Sequence, residues 1–213
     1  MPDLESMKIG SAKRFRIAVV FLDIVGFSDY AENNDVEDVL FMLNLFIPEV
    51  MEIVRDFDGN FEKNTGDGIL AYFGVGDSNI ETANTALEYI ATVKYALANC
   101  VNPELEDNDI EPIHITAGAS IGTVHISRIG VNALNRRTAV GYTPNVAAKL
   151  ESMAGSNEYL VNSGIRQYAV ESDDEWDKLL ERRGRIGGYT WGGDPDHYYN
   201  LSGGWTSTDW SNL

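Results

Sequence analysis

Cysteine, histidine and positive charge are scarce in this 213-residue sequence, and each shortage excludes something. Cys100 is the only cysteine, so neither an intrachain disulfide nor a cysteine metal cluster can form. No apolar run is long enough to span a bilayer. The first residues, Met1 to Arg16, lack the apolar centre of a secretory signal. These absences make the cytoplasm the expected location. Lysine and arginine number 16 against 33 acids, a net charge of −17. Such a chain repels nucleic acid and anionic lipid, so neither is an expected partner. Most of this charge serves solubility, and any anionic ligand would need metal ions and a few local cations beside it. No internal repeat or low-complexity block stands out. The 44% hydrophobic content is that of an ordinary globular protein, and the length suits one domain with a sizeable core.

What is present reads as alternating strands and helices. Phe15 to Phe21 is a compact apolar run rich in branched residues, a buried strand ending at Asp23 and followed by Ile24-Val25-Gly26-Phe27-Ser28. From Val36 to Phe57, apolar residues recur at helical spacing (Val39, Leu43, Phe46, Ile47, Val50, Ile53, Val54), and Pro48 predicts a kink or break. Asn60–Asn64 and Ile69–Phe73 form a hairpin around the tight turn Gly66-Asp67-Gly68, with an acid at its tip. Ser78 caps a second helix reaching about Ala98, with Ala83, Ala86, Leu87, Ile90, Val93 and Leu97 facing inward. Asn102–Glu111 reads as an acidic loop, Ile113–Val124 as a strand containing the small residues Ala117, Gly118 and Gly122, and Arg137–Val140 as a short strand. Thr143 can cap a third helix, with Pro144 at its first position, ending near Met153. Tyr159–Val161, a short helix Ser163–Tyr168 and the strand pair Leu179–Ile186 and Tyr198–Leu201 complete the domain. The order β-α-β-β-α-β with appended C-terminal strands predicts an α+β, ferredoxin-like fold with helices on one face of a sheet. Residues 1–14 are expected to be a tail, 15–202 the domain, and 203–213 a Gly- and Trp-rich surface tail.

Two acids stand out by context. Asp23 ends a buried strand, and Asp67 sits at a hairpin tip between two glycines. In a ferredoxin-like sheet these elements are neighbours, so the carboxylates can converge as hard oxygen ligands for Mg²⁺ or Mn²⁺. Taken singly, Asp67 reads as a turn residue and Asp23 as a loop cap. Gly26-Phe27-Ser28 directly follows the first acid, where a glycine lets backbone N–H groups turn toward a phosphate. Its other reading is a plain strand-to-helix turn.

Three segments in register carry a resemblance. Phe21-Leu22-Asp23-Ile24-Val25-Gly26-Phe27-Ser28 resembles the first metal motif of class III adenylyl and guanylyl cyclases. Lys63-Asn64-Thr65-Gly66-Asp67-Gly68 resembles their second metal hairpin, and Gly141-Tyr142-Thr143-Pro144-Asn145-Val146-Ala147-Ala148-Lys149-Leu150 their catalytic helix entry. The resemblance covers roughly Phe15 to Leu201 and implies the cyclase fold and two-metal catalysis. It implies that Asp23 and Asp67 hold two divalent ions, Mg²⁺ or Mn²⁺, with the Ile24 carbonyl as a further ligand. Gly26, Phe27 and Ser28 would offer the phosphate-binding turn, and Lys63 and Thr138 would read the base. Asn145 would orient the ribose. Lys149 stands where the family has an arginine that stabilises the transition state, keeping the charge and losing the planar fork. The family's C-terminal phosphate-binding lysine is replaced by Arg182-Arg183-Gly184-Arg185, one of which takes over that role or all of which form a solvated basic run. A homodimer is implied, with the metal acids from one protomer and Lys63, Thr138, Asn145 and Lys149 from the other. His114, His125 and His197 read as structural or surface residues.

The expected activity is conversion of a nucleoside triphosphate to a 3′,5′-cyclic nucleotide and pyrophosphate. Lys63 with Thr138 permits adenine and hence an adenylyl cyclase making cyclic AMP. The absence of any sensor or membrane segment, the motif variants and the Trp-rich tail instead resemble the stand-alone bacterial pyrimidine cyclases of Pycsar-type antiphage defence. Those make cyclic UMP or cyclic CMP for a separate effector, and this is the preferred expectation. A non-catalytic nucleotide-binding module of the same fold is the alternative of another class. A diguanylate cyclase-like enzyme would carry a Gly-Gly-Asp/Glu-Glu-Phe hairpin, and this chain has Thr65-Gly66-Asp67-Gly68.

Overall fold

A computed structural model describes residues 7–132 and 134–204, apart from the side chains of residues 63–65 and 135–137. The Lys63 side chain, residues 1–6 of the expected N-terminal tail and residues 205–213 of the C-terminal one lie outside the described residues. The chain runs β1 (Ala12–Ile24), α1 (Phe27–Asn33), α2 (Val36–Asp56), β2 (Asn60–Thr65), β3 (Gly68–Phe73) and α3 (Asn79–Ala96). A π-helical turn, Leu97–Val101, leads into α4 (Asn102–Asp107), β4 (Ile115–Val131), β5 (Leu134–Val140), α5 (Tyr142–Glu151) and β6 (Tyr159–Asn162). The chain ends with α6 (Ser163–Ser172), α7 (Glu175–Leu179), β7 (Leu180–Trp191) and β8 (Asp194–Leu201).

One sheet in the order β2-β3-β1-β4-β6-β8-β7 organises the molecule, with β5 paired to β4. β1 lies antiparallel between β3 and β4, and Ile17 to Val20 are all buried. A strand covered on both faces is selected for continuous rather than alternating apolarity, which is why β1 is so legible. Ala18, Val20, Leu22 and Ile24 join the main core, to which α2, α3 and α6 contribute Phe46, Leu87 and Ile165. Ile17 and Val19 join a smaller cluster on the other face, together with Val124 and Ala147 of α5.

The expectation of helices on one face therefore needs correction: α5 packs on the opposite face. Small residues on β4 explain this. A Cβ on Gly118 would stand 2.1 Å from the Glu151 backbone nitrogen and 2.2 Å from the Ala147 carbonyl oxygen. One on Gly122 would stand 2.5 Å from Thr143 Oγ1. Side chains missing from the strand make a seat on which the helix rests backbone to backbone. Val146 and Leu150 then pack against Leu160 and Ile186 of the appended strands.

Other differences have local causes. α2 runs unbroken through Pro48. Asn44, whose carbonyl loses its partner to the proline, is exposed, as is Pro48 itself, so water replaces the missing bond while Met42, Phe46 and Val50 hold the inner stripe. The expected acidic loop begins as α4, because the Asn102 side chain bonds both the N–H and the carbonyl of Ile113, each at 3.0 Å. Thr143 does not cap α5; its hydroxyl donates to the Thr123 carbonyl at 3.2 Å, and Gly141 is the capping residue. Ser78 does cap α3, in a reciprocal box with Glu81. β4, α6, β7 and β8 are longer than expected.

Gly118→Ala is expected to destabilise the fold by about 1–3 kcal/mol in urea unfolding, because the added methyl meets backbone that cannot step aside. Gly187→Ala is the control: its methyl meets nothing within 4 Å, and the change is expected within about 0.5 kcal/mol. Equal effects at both positions would contradict the seat described for α5.

Candidate active site

Asp23 is the second-last residue of β1 and faces Thr116 across the β1–β4 ladder. Asp67 stands at the β2–β3 turn, which Gly66 closes with φ 74. The Asp23 and Asp67 carboxyl groups lie within hydrogen-bonding reach of each other, and the Ile24 N–H lies near both. Burial pushes the Asp23 carboxyl up to about 6, followed by the charges of Asp67 and Glu151 and the bond to Asp67. Asp67 is also raised, chiefly by burial, and backbone N–H donors and the bond from Asp23 work against that rise. Two acids are thus held closer than their charges favour.

Asp23 borders a cavity of about 200 Å³ that Phe21, Leu22, Gly68, Ile69, Leu70 and Glu151 also line, and Asp67 directly precedes Gly68 in the chain. Among the described residues, no three His, Cys, Asp or Glu side chains converge closely enough to cage a metal ion. Two half-buried carboxylates under mutual repulsion nevertheless fit a hard divalent cation that takes its remaining ligands from water, backbone or substrate phosphates. Asp23 and Asp67 would hold it.

Gly26, with φ 68, caps α1 and releases the chain from β1 into the helix; a Cβ there would meet nothing, so the backbone angle alone asks for glycine. Phe27 and Ser28 occupy the first turn of α1, where backbone N–H groups have no partner within the helix.

Lys63 and Thr138, the two residues expected to read a base, lie on segments joined through a neighbouring side chain. The Ala139 N–H donates to Glu62 Oε2 at 3.2 Å, setting the neighbour of Thr138 against the neighbour of Lys63. Lys63 itself lies opposite Leu70, just after a bulge in β2. Asn145 and Lys149 are exposed on α5, one turn apart. Neither they nor Thr138 line the cavity at Asp23. Tyr142 shares their face of the helix, with its hydroxyl donating to the Thr190 carbonyl at 2.9 Å and its ring 5.1 Å from that of Tyr189.

Of the C-terminal arginines, Arg183 is engaged by Glu158 at 3.3 Å and Glu181 at 3.4 Å. Arg182 and Arg185 lie opposite Tyr199 and His197 in the β7–β8 ladder. None of the three histidines borders the cavity: His114 bonds Asn157 at 3.0 Å, His125 lies opposite Val140, and the backbone N–H and carbonyl of His197 bond Ser163 Oγ.

The residue that sequence reasoning missed is Glu151. Its Oε1 accepts a hydrogen bond from Thr116 Oγ1 at 2.9 Å, and it lines the cavity beside Asp23. A signal was present: an acid closing a helix lies where the dipole disfavours negative charge.

Comparison with known proteins places these observations in context. Residues 11–186 match the family of adenylate and guanylate cyclase catalytic domains. A cytidylate cyclase of Staphylococcus aureus is 28% identical over 160 residues, which is 71% of this chain and 37% of that protein. A cytidylate cyclase of Escherichia coli is 26% identical over 191 residues, 86% of this chain and 42% of that protein. The chain thus spans less than half the length of these relatives. Among solved structures, the adenylyl cyclase CyaB from P. aeruginosa superposes with a TM-score of 0.79 at 21% identity, over 90% of this chain and 95% of that one. No helix among the described residues is long and apolar enough to cross a membrane.

The raised Asp23 carboxyl, chiefly a consequence of burial, has a measurable effect on stability. The unfolded carboxyl titrates near 3.8 and the folded one near 6, so its ionisation opposes folding fully above pH 6 and not at all below 3.8. Asp23→Asn is therefore expected to raise the melting temperature of the metal-free protein above pH 6. The gain should shrink as the pH falls through 6 and vanish below 3.8. Melting curves across this window check it, and a gain independent of pH would contradict it.

Proposed function

This chain belongs to the adenylate and guanylate cyclase catalytic domain family, and we propose that it cyclises a pyrimidine nucleoside triphosphate, CTP or UTP, to the 3′,5′-cyclic nucleotide. The observation that carries the catalytic reading is the pairing of Asp23 with Asp67, with Asp23 lining a cavity just before the turn into α1. The likeness to two cytidylate cyclases supports pyrimidine over adenine.

In the reaction the ribose 3′-oxygen attacks the α-phosphorus. The bond from that phosphorus to the oxygen bridging the β-phosphate breaks, pyrophosphate leaves, and the hydroxyl proton passes to solvent. Mg²⁺ or Mn²⁺, when bound as a pair, would acidify the 3′-hydroxyl and neutralise charge on the phosphates. Asp23 and Asp67 hold the cations through their carboxylates, with the Ile24 carbonyl as a further oxygen. Phe27 and Ser28, released by Gly26, offer N–H groups to the β- and γ-phosphates. Lys63 and Thr138 read the base, Asn145 orients the ribose, and Lys149 neutralises charge developing at the α-phosphorus. Attacking and leaving groups already share one molecule, so positioning supplies much of the acceleration. The product would act as a second messenger on a separate effector, in antiphage defence.

The active unit is a homodimer. Asn145 and Lys149 point to solvent, away from the cavity of their own protomer, so a second copy must bring them to a cation site. The β4–β5 hairpin supports this with exposed apolar side chains at its outer end: Ile129 at 56%, Val131 at 65% and Leu134 at 78% exposure. A symmetric pair would cover them and form two equivalent sites.

Incubation with each of ATP, GTP, CTP and UTP in Mn²⁺, with products resolved by mass, is expected to yield cyclic CMP or cyclic UMP. Cyclic AMP alone would overturn the pyrimidine reading, and no cyclic product from any nucleotide would overturn the cyclase reading. Asp67→Ala and Lys149→Ala are each expected to lose most turnover, Lys149→Ala chiefly in kcat. Mixing the two after dissociation and reassociation should restore about one quarter of wild-type activity, because a mixed dimer keeps one intact site. A mixture no more active than its components would argue that each site is built from one protomer.

A further inference from the structure

The described part of the site holds a carboxylate that the reaction as outlined does not use. Glu151 closes α5, and three features bring it to the cavity. The missing side chain of Gly118 lets the last turn of the helix rest on β4, since any Cβ there would meet the Glu151 backbone itself. Thr116, two residues earlier on the same face of β4, donates its hydroxyl to Glu151 Oε1 at 2.9 Å. Thr116 is also the cross-strand partner of Asp23, so the residue that fixes Glu151 stands beside the first metal acid.

The arrangement is costly to the metal-free fold. An acid at a helix C-terminus faces the negative end of the dipole. Glu151 also lines the same cavity as Asp23, so the two carboxylates share one small polar space. A helix anchor alone would not require charge, since a glutamine could accept the same bond from Thr116. We propose that Glu151 is a positioning residue for the divalent cation, the third carboxylate of the pocket, acting through water rather than as a direct ligand. Glu151 Oε1 is already engaged by the Thr116 hydroxyl, so its carboxylate reaches the cation through bound water. Carboxylates beyond the direct ligands orient bound water and strengthen the field at the cation, and their loss typically weakens metal affinity about 10- to 100-fold. This inference rests on the reading of Asp23 and Asp67 as metal ligands.

The test is Mn²⁺ binding to the full chain without nucleotide, followed by the loss of the free-ion electron paramagnetic resonance signal. Melting temperatures of the same samples establish folding. Asp67→Asn is expected to lose Mn²⁺ binding, and Glu151→Gln to weaken it about 10-fold while the protein stays folded. Thr116→Val should weaken it less, because it frees the carboxylate without removing it. Retained binding in Asp67→Asn would sink the metal assignment itself. Loss in Asp67→Asn beside wild-type affinity in Glu151→Gln would overturn the role of Glu151 alone. Wild-type protein that takes up no Mn²⁺ at millimolar concentration would also overturn it. A purely structural Glu151 would lower the melting temperature in Thr116→Val, where the bond is lost, but not in Glu151→Gln, where it is kept, and would leave Mn²⁺ affinity untouched in both.

Discussion

Two carboxyl groups that repel each other are held in hydrogen-bond contact, and the architecture around them can be read as the means of doing so. Asp23 is fixed by a strand buried on both faces, one that cannot slide without moving its whole apolar set to the wrong side. Asp67 is fixed by a hairpin whose returning strand pairs with β1 from Leu22–Ile69 through Ala18–Phe73. Neither acid can retreat to water, and burial first of all raises the affinity of both carboxyl groups for protons, with the charges of Asp67 and Glu151 adding to it at Asp23.

The two faces of the sheet divide the labour. One face carries α2, α3 and α6 over a large apolar core and supplies most of the stability. The other carries α5, seated where Gly118 and Gly122 remove the side chains that would hold it away. Close seating has two consequences. It drives Glu151 toward Asp23, and it leaves the outer side of α5, with Asn145 and Lys149, facing solvent. One helix therefore addresses two directions: the cavity at Asp23 with its last residue, and solvent with its outer face.

Elements with a strong local signature are legible in the amino-acid order alone. A continuous branched apolar run marks β1, Ser78 and an inward stripe mark α3, and glycines flanking an acid mark the β2–β3 hairpin. Local signals fail where a distant partner decides. Asn102 turns an acidic stretch into a helix by bonding Ile113, and Pro48 is tolerated because its orphaned carbonyl faces water. The small residues of β4 are visible in the sequence, but their meaning as a seat for α5 is not, since a glycine in a strand does not say what packs on it.

The sequence by itself determined the order of elements, the family motifs and the two acids whose contexts set them apart, because these depend on short-range periodicity and turn chemistry. Only the tertiary structure decided that the acids touch, that Asn145 and Lys149 face away from them, and that Glu151 joins the pocket. Each of those facts depends on which strands pair in which register and on how near a helix can approach a sheet. Those quantities arise from contacts between residues tens of positions apart, such as Asp23 with Thr116 and Gly118 with Glu151, and no local pattern encodes them.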